Sequence, residues 1–390
     1  MMTEQEHNNV QWRKVKLGEV GEIISGGTPS TTNETFWDGD VLFVTPLDLG
    51  RKNKIDSTLR TISELGVKNS SANKIKAHSL AISTRAPIGL MSIVNQDFTT
   101  NQGCKSIQFY DSYDSEFFYY YLSYNVEKIQ RYGQGTTFME ISKTDFSNLE
   151  FTVPDLSAQR RIAAILTSAD KVIAATQKTI AKYKQIKQGM MEDLLKPKEG
   201  WKMVRLGEVG EIITGSTPPT TKSEYWNGEY NFYSPADFDD QVYCCKTERT
   251  VTKAGVDTGR RIPANSIMVA CIASIGKIAL SKSEGITNQQ INTIVPNEEY
   301  DCVFLYYLLL LNATAIKNKA AQTTIPIINK EDFSSLEFYI PDFPEQRRIA
   351  NMLSGVDKKI EMEQAVLDKY NLVKKGLMEK LLNEIFANHE

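Results

Sequence analysis

Two basic stretches carry most of the chemistry this sequence offers. Between Arg51 and Arg85 eight Lys and Arg residues stand against Asp56 and Glu64, a net +6. Between Lys246 and Lys282 seven stand against Glu248 and Asp257, a net +5. The 390-residue chain as a whole carries −3, so positive charge is concentrated at two places in an otherwise acidic sequence. Such clusters neutralise phosphates and give salt-sensitive affinity for nucleic acid, while Arg, Asn and Gln can pair with guanine or adenine edges in the major groove. The candidate contacts are Arg51, Lys52, Lys54 and Arg85 in one stretch and Arg249, Arg260, Arg261 and Lys277 in the other. A solvated surface would explain one stretch alone; recurrence weighs against it. Asn101 and Gln102 in TNQG (100–103), with Asn288 and Gln289 in TNQQ (287–290), are weaker candidates. They recur identically, and hydrogen bonds within a buried turn are the favoured explanation for them.

Catalytic patterns are missing. The histidines are His7, His78 and His389, which leaves no triad or metal cluster. Five cysteines (Cys104, Cys244, Cys245, Cys271, Cys302) contain no CxxC spacing, which fits reduced thiols in a cytoplasmic protein without zinc. SIGK (274–277) resembles the end of a phosphate loop, but Cys271 stands where the earlier glycine is needed. Thr217-Pro218-Pro219-Thr220 lacks the flanking residues that grip and stack a flipped adenine. Pro-Asp at 154–155 and 341–342 could suggest a nuclease but serves better as a helix start. A non-enzyme that binds no cofactor or metal is expected. The N-terminal MMTEQEHNNV is polar and acidic, unlike a secretory signal. The longest apolar run, Phe304–Leu311, falls short of the ~18 residues of a membrane helix.

The elements that must position these residues come in duplicate. WRKVKLGEVGEIISGGTPSTTNETFWDG (12–39) returns as WKMVRLGEVGEIITGSTPPTTKSEYWNG (201–228), a shift of 189. FSNLEFTVPDLSAQRRIAAILTSADKVI (146–173) returns as FSSLEFYIPDFPEQRRIANMLSGVDKKI (333–360), a shift of 187. This is a tandem duplication of a domain with its tail. Each copy opens with a tryptophan and a short apolar run, then a Gly-Pro-Thr turn. SLAISTRAPIGLMSIV (79–94) and SIMVACIASIGKIALS (266–281) read as paired strands around Gly89 and Gly276. A helix is expected near Ser115–Gln130, with its match near Val303–Ile316.

The back of each copy reads as a long helix. A seam with alternating spacings of four and three runs through Ile162, Leu166, Ala169, Ile173, Thr176, Ile180, Tyr183, Lys187, Met190 and Leu194. Its second form is Ile349, Leu353, Val356, Ile360, Glu363, Leu367, Tyr370, Lys374, Leu377 and Leu381. Such a sustained heptad pattern signals a coiled coil, and Lys187 is the charged seam position of the first copy. Asp155 or Ser157 can cap the first helix; Asp342 with Glu345 forms a capping-box pattern at the second. A helix of ~38 residues would be roughly 57 Å long. For the seams to meet within one chain the second helix must run back along the first, so an antiparallel pair is favoured over an intermolecular coiled coil. The expected fold is α+β: two tandem mostly-β domains separated by two long helices in an antiparallel coiled coil. The boundaries are a tail at 1–11, domains at 12–155 and 197–342, and helical regions at 156–196 and 343–386.

Taken in order, W-x-x-V-x-L-G-E-V, TP, the strand–Gly–strand pair, TNQ, and FTVPDLSAQRRIA with FYIPDFPEQRRIA, all duplicated, resemble the specificity subunit of Type I restriction-modification systems. The resemblance runs from Trp12 to about Leu382. It implies two target-recognition domains that each read one half of a split site in double-stranded DNA. It also implies two docked adenine-N6 methyltransferase subunits that use S-adenosylmethionine, and up to two restriction subunits that use ATP and Mg. Those activities would sit on the partners. The departure at Gln290-Ile291, against Gly103-Cys104, puts the shape of one loop in question.

The copies share their frames but little across 40–78 and 229–265, or across 105–133 and 292–320. The divergent stretches are where two different words would be read, so a bipartite, asymmetric site with an unread spacer is expected. Arg160, Arg161, Arg347 and Arg348 sit in the first helical turns, where positive charge opposes the helix dipole; solvated side chains or contacts with a methyltransferase or phosphate account for them. Gly189 and Gly376 would be justified by a close helix or partner approach, or simply tolerated. The alternatives are a non-catalytic interaction protein with tandem binding domains on a coiled-coil rod, and a metal-dependent nuclease.

Overall fold

The computed structural model describes residues 12–133, 140–320 and 327–387. The tail at 1–11, with His7, and His389 lie outside them. The chain divides into two compact units. One runs through Thr176 and takes in the chain from Leu367 on; the other is Gln177–Val366. Each unit contains one mostly-β repeat and a part of each long helix, Leu156–Leu194 and Phe343–Ala387.

In the first unit a five-stranded sheet has the order Gly21–Ser25, Cys104–Phe109, Ser79–Ser83, Met91–Val94, Lys54–Ile55. The expected hairpin is formed: Ser79 pairs with Val94 and Ile82 with Met91, around Gly89 at φ +95°. That positive φ is a conformation glycine adopts without strain. Alternation along Ser79–Ser83 sends side chains to both sheet faces. Leu80 and Ile82 join Phe117, Phe118 and Tyr121 of a helical layer. Ala81 joins Leu42, Val44 and Phe98 of a three-stranded sheet, ordered Arg60–Ile62, Trp37–Val44, Phe98–Thr100. The central sheet is therefore buried on both faces, which explains why Leu80-Ala81-Ile82 runs apolar without alternation.

The second unit repeats this plan. Its five strands are Gly210–Thr214, Ile291–Pro296, Ile267–Ala270, Ile278–Ser281 and Tyr243–Cys244. A four-stranded sheet, Arg249–Val251, Trp226–Tyr233, Gly285–Thr287, Arg261–Ile262, covers one face. The LGEV echo has a local cause. Leu17–Val20 and Leu206–Val209 are short helices whose Glu19 and Glu208 accept from Lys16 N at 2.9 Å and Arg205 N at 3.0 Å.

The single helix expected near 115–130 is two, Ser115–Tyr124 and Val126–Gly133, and its match is Cys302–Leu311 and Ala313–Ala320. Asn125 and Asn312 break them: each side-chain Nδ2 donates back to a carbonyl of the preceding turn, at Tyr121 (2.9 Å) and Leu308 (2.8 Å). Asparagine competes for backbone partners in this way.

Asp155 caps the first long helix, its carboxylate accepting from Ala158 N at 2.9 Å. Asp342 accepts from Glu345 N at 3.1 Å, but Glu345 turns its carboxylate to Arg348, so the pattern does not close as a capping box. In the first unit, Ile162, Ala163 and Leu166 share a core with Leu377, Met378, Leu381 and Leu382, and Asp170 pairs with Lys374. In the second, Met191 and Leu195 share a core with Ile349 and Leu353, and Lys187 pairs with Asp357. Within each unit the helix segments run antiparallel, as connectivity predicts. The seam is not closed throughout: Tyr370 is 39 % exposed.

Candidate nucleic-acid interface

The same constellation is built on the smaller sheet of each unit. Phe43 pairs in register with Arg60, and Phe232 with Arg249. This pairing lays the Arg60 guanidinium 3.6 Å from the centre of the Trp37 ring, and Arg249 3.6 Å from that of Trp226. Each indole is itself held. Trp37 Nε1 donates to Ser30 O at 3.1 Å and Trp226 Nε1 to Pro219 O at 3.2 Å, which ties it to the Gly-Pro-Thr turn. Phe43 and Phe232 pack edge-on against the indoles at 5.3 and 5.1 Å.

That turn is stitched to the Thr-Asn-Gln turn. Thr28 Oγ1 donates to Gln102 Oε1, and Thr217 Oγ1 to Gln289 Oε1 at 2.6 Å. Gly27 N and Ser216 N donate to Thr100 O and Thr287 O, both at 2.8 Å. A Cβ on Gly26 would lie 2.0 Å from Asn101 O, and one on Gly215 2.1 Å from Asn288 O, so only glycine permits this approach. Asn101 and Asn288 accept from the backbone two residues on, at 3.1 and 3.0 Å. Turn hydrogen bonding is thus their role here, while Gln102 and Gln289 stay exposed. Gln290 N makes the same backbone bond as Gly103 N, and the Gln290 side chain adds one, its Oε1 accepting from Asn288 Nδ2 at 3.0 Å.

A third repeated piece is an acidic turn. Asp48 accepts from Thr45 N, Thr45 Oγ1 and Leu59 N at 2.8, 2.7 and 2.9 Å. Asp237 accepts from Ser234 N, Ser234 Oγ and Glu248 N at 2.8, 2.6 and 2.8 Å. In the second unit these pieces enclose an open cavity of about 350 Å³, lined by Thr217, Phe232, Asp237, Glu248, Arg249 and Gln289 among others.

The candidate residues divide by partner. Arg51 and Lys52 are exposed beside the acidic turn of the first unit. Lys54 is ion-paired with Glu116, whose other oxygen accepts from Thr167 at 2.7 Å. Arg85 is paired with Glu140 at 2.8 Å and adjoins the Thr-Asn-Gln turn through Arg85 N to Gly103 O. Arg260 donates to Thr214 O at 2.8 Å, and Arg261 is matched by Asp257 and Glu284 at 3.2 and 2.7 Å. Lys277 reaches Pro235 O at 3.3 Å. In the second unit the structure therefore brings Arg249, Asn288 and Gln289 to one cavity, with Arg260 and Lys277 on backbone carbonyls and Arg261 tied to carboxylates. Arg160, Arg161, Arg347 and Arg348 are exposed but stand fifth and sixth in their helices, in the second turn rather than the first. Arg348 grips Glu345 with Nε and Nη2 at 2.6 and 2.7 Å and holds that carboxyl below its usual range. Gly189 and Gly376 have nothing within 4 Å of a built Cβ among the described residues, so close helix approach does not explain them.

Reading by charge missed Arg60, Trp37, Trp226, Asp48 and Asp237. The signal was present. Thr45-Pro46-x-Asp48 and Arg60-Thr61-Ile62 recur as Ser234-Pro235-x-Asp237 and Arg249-Thr250-Val251, inside stretches that otherwise share little. Buried Lys105 was missed too. Its ammonium donates to Ile141 O at 2.7 Å, and burial lowers its pKa. The second copy has Asn292 there, reaching Ile328 O. No group of three or more His, Cys, Asp or Glu could hold a metal among the described residues, and no described helix is long and apolar enough to cross a membrane.

Comparison with known proteins agrees with this geometry. A family model for the Type I restriction modification DNA specificity domain matches residues 9–185 and again 198–371. The MjaIX specificity subunit of Methanocaldococcus jannaschii is 23% identical over 411 residues, covering 95% of this chain and 92% of that protein. The HindI specificity subunit of Haemophilus influenzae is 33% identical over 147 residues, 36% of this chain and 32% of its own. Among solved structures, the Type I restriction-modification S subunit from M. genitalium superimposes with a TM-score of 0.63 at 16% identity, covering 96% of both chains. A chain from a study of complex assembly and conformational transition of the type I R-M system gives 0.61 at 18% identity, covering 95% of this chain and 97% of its own. With the domain model matched twice over most of its length, the chain belongs to the Type I restriction-modification specificity family.

Proposed function

We propose that this chain is the non-catalytic DNA-reading subunit of a Type I restriction-modification complex. Domains at 12–155 and 197–342 each read one half of an asymmetric bipartite site. Helical regions at 156–196 and 343–386 set the unread spacer between the halves. The observation that carries this reading is the duplicated Arg-on-Trp constellation set among unlike loops. One frame is used twice, with different residues in reach of the bases. Two adenine-N6 methyltransferase subunits supply S-adenosylmethionine chemistry, and up to two restriction subunits supply ATP- and Mg-dependent cleavage, in the cytoplasm. Docking is supported by apolar residues left uncovered on the long helices, with Met362 and Leu372 each 70 % exposed, and by the exposed Arg160, Arg161 and Arg347.

The test is expression of the chain with its methyltransferase, followed by modified-base sequencing of host DNA. Methylated adenines should fall in two unlike half-sites on opposite strands, separated by an unread gap of several base pairs. Methylation confined to a continuous palindrome would sink the proposal. Failure to co-purify a methyltransferase would sink the docking part.

A further inference from the structure

Arg60 and Arg249 differ from the ion-paired cations of their units. Lys54, Arg85 and Arg261 each face a carboxylate. The guanidinium groups of Arg60 and Arg249 have no ion-pair or hydrogen-bond partner among the described residues; each lies on its indole at 3.6 Å. Stacking fixes the orientation of a guanidinium without consuming its N–H donors, so the ion is held ready for a ligand. The Asp48 and Asp237 carboxylates are each held by three donors of their own turns and make no ion pair with it among the described residues. Next to each arginine in sequence the copies do differ, Leu59 against Glu248. The strand itself is shared, Arg60-Thr61-Ile62 against Arg249-Thr250-Val251, and the stacked pair is kept with it. Gln289 lines the same cavity as Arg249 with its Oε1 occupied by Thr217, which leaves its amide Nε2 as a donor. Gln102 is bound to Thr28 in the same way. Arg249 and Gln289 thus present N–H donors to this cavity beside the Asp237 and Glu248 carboxylates, and a phosphate oxygen fits those donors.

Two domains that read different words still meet the same phosphate backbone, and a cation kept at the same place in both frames suits that shared contact. We propose that Arg60 and Arg249 are matched backbone anchors: each holds a DNA phosphate at the equivalent place in its half-site, whatever the bases there. This rests on the DNA-recognition reading above and assigns it to residues. The charge positions the duplex, and the unlike residues beside it do the reading.

The test uses the chain assembled with its methyltransferase and a duplex carrying its methylated site. Arg60→Gln and Arg249→Gln are each expected to weaken binding several-fold and to lower the slope of log affinity against log salt by about 0.9, the effect of one lost phosphate contact on B-DNA. The sequence methylated in cells should not change. Unaltered affinity and slope would overturn the proposal, and so would a changed half-site sequence, which would make the arginine a base reader. If a Gln variant does not fold, phenylglyoxal labelling of the unmutated complex decides: bound duplex should protect both arginines, and equal labelling with and without DNA refutes the anchors. A wild-type complex that neither binds nor methylates duplex DNA would instead defeat the underlying functional reading.

Discussion

Asp170 holds the Lys374 ammonium at 2.5 Å and accepts from the Tyr120 hydroxyl at 2.6 Å, joining one long helix to the other and both to the β repeat of the first unit. The second unit repeats the triad. Asp357 holds Lys187 at 2.7 Å and accepts from Tyr307 at 2.5 Å. Each lysine also lies over the ring of its tyrosine, at 5.6 and 5.3 Å. The charged seam position at Lys187 thus has a cause. A polar residue placed once in an apolar seam fixes register and direction at some cost in stability. Slipping the helices would strand a half-buried charge, so the triad admits one alignment in each unit.

Removing the aspartate should expose that cost. Asp357→Ala leaves Lys187 and Tyr307 without their acceptor, and a loss of about 2–4 kcal/mol is expected from chemical denaturation. Asp170→Ala should cost less, because its pair is more exposed, 21–25 % against 12–14 %. The double change Asp357→Leu with Lys187→Met should recover much of the loss, since packed apolar groups replace a buried pair at little net cost. A double variant as unstable as the single one would contradict this account.

Glycines separate into two kinds. Gly189→Ala and Gly376→Ala meet no neighbour and sit inside helices, so each should raise the stability of the free chain by about 1 kcal/mol. Gly26→Ala places a methyl 2.0 Å from Asn101 O and 2.3 Å from Thr100 Oγ1. It should destabilise the first unit by about 1–3 kcal/mol, the range for overpacking, and pull Thr28 away from Gln102. Denaturation midpoints of the three variants test both halves of the claim.

Much of the architecture is legible in the sequence because repetition and periodicity are linear signals. The hairpin around Gly89, the two long helices and the duplication follow from spacing alone. The Asn125 and Asn312 breaks do not, because a side chain that bonds back to its own helix leaves the apolar pattern intact. The site was harder to read. Lys54 and Glu116 are distant in sequence, so counting charges cannot show that one cancels the other. Arg60 meets Trp37 only through the strand register that sets Phe43 opposite it. Arg60 and Arg249 lie in stretches that differ between the copies, and their short shared motif is visible only once those stretches are aligned.

Alkaline pH should destabilise the fold. Burial pushes the Cys104 thiol up to about 12 and those of Cys244, Cys271 and Cys302 to about 11. An unfolded thiol loses its proton near 8.5. The protonated native state is therefore fully favoured below that pH, and stability falls as pH rises through the window up to the folded values. The limiting slope is about 1.4 kcal/mol per pH unit for each thiol. Lys105 and Lys128, both lowered by burial, work the other way in the upper part of the window, but they are two groups against four. Urea denaturation at pH 7.5 and pH 10 should show the loss, and Cys104→Ala should flatten it. Equal stability at both values would refute the assignment.

The Gln-Arg-Arg motif at the head of each long helix has a buried part and an exposed part. Gln159 is buried; its Oε1 accepts from Asp114 N at 3.0 Å and its Nε2 donates to Pro154 O at 2.8 Å. Gln346 does the same for Asp301 N and Pro341 O, at 2.9 and 3.0 Å. Each glutamine pins the start of the Ser115–Tyr124 or Cys302–Leu311 helix to the end of the strand before the long helix. Gln159→Leu leaves a buried N–H and a buried carbonyl unpaired and should cost about 1–3 kcal/mol per group. The arginines beside it are exposed, and beyond the first turn the helix dipole has faded. Arg160→Glu with Arg161→Glu should therefore move the stability of the free chain by less than about 0.5 kcal/mol, as exposed surface changes do. If these arginines face a methyltransferase subunit or phosphate, the same double change should sharply reduce co-purification or DNA binding. Denaturation and pull-down measured on one set of variants separate the roles: the glutamine acts through stability, the arginines through assembly.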